Sequence, residues 1–148
     1  MELSFRTAQL PDVETLLGLV SELYVHEGIT VSSVVAQAAL FGLIEDGALG
    51  QVWLVSAGPE LVGYAVLTYG YSLEFGGRYG LVDELYVRPG WRGQGVGQAT
   101  LEFVASQGRA VGLSALRLEV ERGNRRAIGL YQRQGFGAHD RDLMTRRL

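Results

Sequence analysis

The chain has 148 residues, a length that suits one domain with a core of its own and no covalent staples. It contains no cysteine, which excludes disulfides, thiolate metal sites and a thiol nucleophile; with His26 and His139 as the only histidines, a zinc site would need carboxylates to complete it. The net charge is −3 and all 13 basic residues are arginine, a balance that disfavours general binding to nucleic acid or anionic membrane, both of which need a basic surface.

In chain order, Leu3 and Phe5 predict a first strand over 2–7. Pro11 and Asp12 fit a helix start, because proline is tolerated in the first turn and acids suit the positive end of the helix. Val13, Leu16, Leu17, Val20, Leu23 and Tyr24 recur at helical spacing, so that helix should reach His26 and stop at Gly28. A second helix is expected over 31–45. Residues 51–57 and 61–69 read as a hairpin across Ser56–Glu60. A glycine-containing loop at 71–77 leads to a third long strand over 79–88, stopped by Pro89-Gly90. Helix is expected over 95–106, strand over 113–120, helix over 125–133, and a last strand from Phe136 to the C-terminus. The order β-α-α-β-β-β-α-β-α-β implies an α/β (α+β) fold, a mixed central sheet flanked by helices, as one domain over 1–148. No signal peptide and no run of about 18 apolar residues is present, so a soluble, cytoplasmic chain without a membrane partner is expected.

Glycine, at 21 of 148 residues, is about twice its usual share of roughly 7%. Four glycines fall between Arg88 and Gln98, in Arg88-Pro89-Gly90-Trp91-Arg92-Gly93-Gln94-Gly95-Val96-Gly97, where a strand turns into a helix. Backbone N–H groups at a helix start have no partner within the helix and form an anion site. Glycines let the main chain approach the anion closely, and Arg92 adds a forked cation. The loop lacks the Lys-Ser/Thr pair of a Walker loop, since Gln98-Ala99 follow Gly97. A dinucleotide fingerprint fails as well, because the third glycine would fall at Gln98 or Thr100. Taken alone, the segment also fits a glycine-rich turn without a ligand.

About thirty residues later comes Asn124-Arg125-Arg126-Ala127-Ile128-Gly129-Leu130-Tyr131-Gln132-Arg133-Gln134-Gly135-Phe136. The two segments together resemble the acetyl-CoA-binding core of the GNAT (Gcn5-related N-acetyltransferase) superfamily. Arg92-x-x-Gly95-x-Gly97 matches its pyrophosphate loop, and Asn124-x-x-Ala127-x-x-Leu130-Tyr131-x-x-x-Gly135-Phe136 matches its second motif. The resemblance implies an N-acetyltransferase that uses acetyl-CoA as co-substrate and no metal. It implies that the backbone of Leu85, Tyr86 and Val87 pairs with pantetheine, that the amides of Gly93, Gln94, Gly95, Val96, Gly97 and Gln98 hold the pyrophosphate, and that Asn124, Ala127 and Tyr131 line the cofactor. Arg122, Arg125 and Arg126 could attract the nucleotide phosphates or be plain solvated arginines. The family often dimerises, which leaves a homodimer open.

Tyr131 is the candidate general acid, since a phenol with pKa near 10 is protonated at neutral pH and can donate to sulfur. Ile128 and Tyr131 also share a helical face, which fits a core aromatic. Asp83 and Glu84 are the candidate bases. Neighbours on a strand face opposite sides, so at most one is expected to point at the acceptor, and the choice stays open. Ser21-Glu22-Leu23-Tyr24-Val25-His26-Glu27 resembles the diamine branch of the superfamily (spermidine/spermine type), which implies His26, Glu27 and Asp83 at the acceptor site. Carboxylates there, with Glu119 or Asp140 added, would suit a small cationic amine: unit charges 4 Å apart attract by about 4 kcal/mol at an effective dielectric near 20. A non-catalytic acyl-CoA sensor and an acetylase of protein or peptide amines are the alternatives.

Overall fold

The computed structural model describes all residues from Met1 to Leu148. Strand β1 (Leu3–Thr7) leads through one 3-10 turn at Leu10–Asp12 into α1 (Val13–Glu27). The stripe of α1 that packs inward is Val13, Leu16, Leu19, Val20 and Leu23, all buried. Gly28 ends the helix at φ 67°, its N–H donating to the Tyr24 carbonyl, a left-handed cap that favours glycine. Helix α2 (Ser33–Glu45) starts on Ser32, whose hydroxyl accepts the Val35 N–H at 3.2 Å.

Strands β2 (Gly50–Ala57), β3 (Glu60–Ser72) and β4 (Gly77–Val87) form an antiparallel meander, extended by helix α3 (Val96–Ala110), the short β5 (Leu116–Arg117) and helix α4 (Arg125–Arg133). The sheet order is β1-β2-β3-β4-β5, antiparallel except for the parallel β4–β5 pair. Both faces are covered, which is why Val52-Trp53-Leu54-Val55 is apolar without alternation. Val52, Leu54, Tyr64, Val66 and Tyr86 pack with α1 and α2, whereas Trp53, Ala65, Leu67 and Val82 pack with Val104 of α3. No helix is long and apolar enough to cross a membrane.

The expected loop at 71–77 narrows to a turn at Leu73–Gly76, because β3 continues through Ser72 and β4 begins at Gly77. Two expected strands change more. The segment 113–120 pairs with β4 only at Gly80↔Leu116 and Leu81↔Arg117, and the pairing stops just before a bulge in β4. Residues 136–148 form no strand at all. After Phe136 that tail runs Gly137-Ala138-His139-Asp140-Arg141-Asp142, with no alternating apolar side to bury. Beyond Phe136, which is held against Tyr131, its side-chain ties are exposed ion pairs, Arg122–Asp142 at 2.6 Å and Arg141–Glu74 at 3.6 Å, of a kind that contributes little. The consequence for function is an open edge along β4 beyond Leu81.

Candidate active site

The strand-to-helix loop is built as an anion cradle. Gly93 and Gly95 sit at φ 73° and 85°, the left-handed region, and Gly95 caps α3. The first α3 bond from this side is the Ala99 N–H to the Gly95 carbonyl, so the amides of residues 93–98 have no acceptor within the chain. The loop is braced from behind. Arg92 Nε donates to the Val87 carbonyl at 2.8 Å while its guanidinium lies 5.6 Å above the Tyr86 ring, and Gln94 Nε2 donates to the Gly90 carbonyl at 2.9 Å. Arg92 therefore stiffens the loop as well as adding charge. The row of free amides on a helix start fits a pyrophosphate.

The edge of β4 leads away from this cradle. The Arg88 N–H donates to the Val62 carbonyl, and alternation along an antiparallel pair then gives Tyr86 its bonds to Tyr64. The backbone groups of Leu85 and Val87 consequently face the open edge, with the Val87 carbonyl already taken by Arg92, while those of Tyr86 face β3. Of the three residues expected to pair with pantetheine, Leu85 offers both its groups, Val87 its N–H, and Tyr86 none. The Tyr86 side chain is buried in the core beside Tyr64, ring centroids 6.1 Å apart.

Between β3 and β4 the register shifts: Val66 faces Glu84 but Leu67 faces Val82, so Asp83 is an extra residue on β4. The bulge interrupts the alternation by which adjacent strand residues face opposite sides. Asp83 and Glu84 both line a cavity of about 230 Å3, together with Glu27 of α1, Glu119 beyond β5 and Tyr131 of α4. The rest of the lining is Leu23, Ile29, Leu81, Val82, Leu85 and Leu118, without a basic residue.

The two acids differ in their surroundings. Glu84 accepts two phenol hydrogens, from Tyr24 at 2.6 Å on one oxygen and from Tyr64 at 2.8 Å on the other. Burial pushes its carboxyl above the usual range, the two phenols pull it back, and the charges of Asp83 and Glu27 add to the rise. Asp83 accepts no hydrogen bond from the protein. It opens to solvent on one side, yet the protein around it displaces enough water to push its carboxyl up. The Tyr131 phenol is raised by burial and then by the Glu27 charge, so it stays protonated at neutral pH, and its ring meets Phe136 edge-on at 6.0 Å.

The expected residues divide accordingly. Glu27, Asp83, Glu84, Leu85 and Tyr131 come together at the cavity, whereas His26 is exposed on α1 outside its lining. Asp140 lies in the exposed tail and Glu119 at the cavity. Asn124 caps α4, its Oδ1 accepting the Ala127 N–H at 3.2 Å, so both are held by the helix start itself. Tyr24 and Tyr64 are additions. Tyr24 stands in the apolar stripe of α1 and in the stretch that resembles the diamine branch, and Tyr64 in a strand of the expected hairpin; nothing in the local pattern tied either to Glu84.

The acetyltransferase (GNAT) family profile matches residues 19–136. Thialysine N-epsilon-acetyltransferase of Bos taurus is 33% identical over 144 residues, covering 91% of this chain and 83% of that protein. The L-methionine sulfoximine/L-methionine sulfone acetyltransferase of Pseudomonas aeruginosa is 40% identical over 81 residues, 54% of this chain and 46% of its own, so that match spans about half of it. Among solved structures, an integron cassette protein from the mobile metagenome of Cole Harbour Salt Marsh superposes with a TM-score of 0.86 at 39% identity, over 97% of this chain and 90% of the other. A protein of Clostridium acetobutylicum described as a predicted acetyltransferase, solved with acetyl-CoA, shares the fold at a TM-score of 0.82 and 17% identity, over 98% and 96% of the two chains. The chain belongs to the GNAT family and is an N-acetyltransferase.

Proposed function

We propose that the protein moves an acetyl group from acetyl-CoA to the primary amine of a small cation. The observation that carries this reading is the cavity: Glu27, Asp83, Glu84 and Glu119 face it with no cation among them, beside a protonated phenol and the open edge that runs to the amide cradle. Ionised carboxylates brought together without a counter-charge are held at a cost that a bound ammonium offsets. A small amine acceptor also agrees with the thialysine enzyme as a relative over most of the chain.

Acetyl-CoA supplies the acetyl thioester, and the residues of this chain arrange the proton movements around it. Asp83 takes a proton from the acceptor ammonium, directly or through water. It suits this step better than Glu84, because it has no hydrogen-bond donor lowering its basicity and it opens to solvent, where the proton can be released. The freed lone pair forms the C–N bond at the thioester carbon while the C–S bond breaks. Tyr131 donates its phenolic proton to the departing thiolate, and the second proton lost by nitrogen restores the phenol. One proton in total passes to solvent.

The test is a thiol-release assay with acetyl-CoA across polyamines, diamines, basic amino acids, aminoglycosides and peptides. Turnover is expected with small cationic amines. Substitution Tyr131→Phe should lower kcat by roughly 10²–10⁴ with the affinity for acetyl-CoA nearly unchanged, the usual weight of one general acid. Silence towards every amine, or a Tyr131→Phe enzyme of full activity, would remove respectively the function and the role of the phenol.

A further inference from the structure

We propose that Tyr24 and Tyr64 are positioning residues: donating to the two oxygens of Glu84, they hold that carboxylate ionised and fixed as the anchor of the acceptor's ammonium, leaving Asp83 to handle the proton. The inference rests on the acetyltransferase reading of the cavity.

A carboxylate has two oxygens with about four lone-pair sites, and each Glu84 oxygen spends one of them on a phenol. The others are left for a donor in the cavity. At 2.6 and 2.8 Å these contacts lie in or near the range of hydroxyl bonds to a charged acceptor, which are about twice as strong as neutral ones. A protonated Glu84 would present an O–H to a partner that already donates, so the paired phenols favour the anion. Both phenols stay donors, because burial and the neighbouring Glu84 charge push their own pKa values up.

The charged groups that act on Glu84 work against its ionisation, and only the two phenols favour it. The charges of Asp83 from the bulge of β4 and Glu27 from α1 raise the Glu84 carboxyl, while Glu119 from beyond β5 and the neutral Tyr131 from α4 share the cavity wall without acting on it. No arginine lines this space. With three more carboxylates around it, the phenols are the only groups of the protein that donate to Glu84 and stabilise its charge.

The clamp is also rigid. The Tyr64 side chain is fully buried from β3 and packs on Tyr86, whereas Tyr24 is half-buried on α1, one helical turn before Glu27. One pair of bonds thus joins α1, β3 and β4 at the cavity floor. It fixes Glu84 and, through the helix, the approach of Glu27.

The proposal is tested with Tyr24→Phe, Tyr64→Phe and wild type, using carboxyl-carbon NMR of glutamate-labelled protein without ligand. The midpoint of the Glu84 titration is expected to rise by about one pH unit in each variant, the size of one lost hydrogen bond to a charged group. With the amine identified by the thiol-release assay, KM should rise about tenfold for each variant while the Kd for acetyl-CoA stays put. The acid limb of kcat/KM should move to higher pH. Because Tyr64 is buried and its variant could fold poorly, Tyr24→Phe is the deciding one. A folded, active Tyr24→Phe enzyme with the Glu84 midpoint and the amine KM of wild type would overturn the clamp alone. A wild-type protein silent towards all amines would overturn the acetyltransferase reading and the anchor role with it, with the Glu84 midpoint still measured.

Discussion

A Cβ placed at Gly93 would lie 2.9 Å from a guanidinium nitrogen of Arg126, so the cation of α4 stands over the amide loop. The arginines at 122, 125 and 126 look alike in the sequence, and their separation needs the fold. Arg122 is engaged with Asp142, whereas Arg126 reaches the cradle that the free amides of residues 93–98 form. Forked, permanently charged and weakly hydrated, it suits a phosphate oxygen. Arg126→Ala should therefore weaken acetyl-CoA binding about tenfold by calorimetry, in the lower range for a charge-assisted bond at an open site. The difference should shrink at high salt, and kcat at saturating cofactor should hold. An unchanged Kd at low salt would leave Arg126 as a solvated arginine. The glycines at 93 and 95 were recognisable in advance because their chemistry is local. Tyr24 and Tyr64 were not, since they meet Glu84 across 60 and 20 residues of chain.

Among the elements, those with a strong period and a local stop match the sequence reading best. The helix over 125–133 ends where expected, and α1 stops at its left-handed glycine. What a period cannot reveal is register. The bulge at Asp83 puts two adjacent acids on one cavity, against the simple alternation of a strand, and the same irregularity lies where β5 leaves the sheet. The C-terminal segment departs from the expected strand because strand formation needs a pairing partner in register, and that is a property of the neighbours. Glycine supplies a sharper case. Besides the loop, it marks where strands press together: a Cβ at Gly63 would sit 2.1 Å from the Tyr86 carbonyl oxygen, a backbone atom that can move only if β3 and β4 part. Gly63→Ala should cost about 2–3 kcal/mol of stability, a fall of roughly 5–10 °C in Tm for a domain of this size. It should also impair acetyl-CoA binding, because it disturbs the edge at Leu85 and Val87. A thermal melt and a binding isotherm equal to wild type would show that the strands absorb the methyl group without strain.

At the scale of the whole molecule, charge is divided along the open edge of β4: carboxylates in the cavity at one end, free amides and arginine at the other. The modest net charge of −3 hides this arrangement, because it is a sum over both ends. The arrangement has a cost in stability whose sign follows from the raised carboxyls. A carboxyl that binds its proton more tightly in the folded chain than in the unfolded one adds stability at low pH. That stability is full below the unfolded value, near 3.9 for aspartate, and is lost as pH rises through the folded value. Asp83 and Glu84 both have this sign, so each weakens the fold when ionised at neutral pH. Asp83→Asn keeps the shape and removes the charge. The variant should therefore unfold at higher denaturant concentration than wild type at pH 8, with the gain shrinking towards zero as pH falls to about 4. The same substitution should abolish most turnover, since an amide cannot take the acceptor's proton. A more stable and less active protein is the trade expected of a group kept for chemistry rather than folding. A variant equal to or less stable than wild type at pH 8 would mean that Asp83 is compensated within the fold and held there for structural reasons.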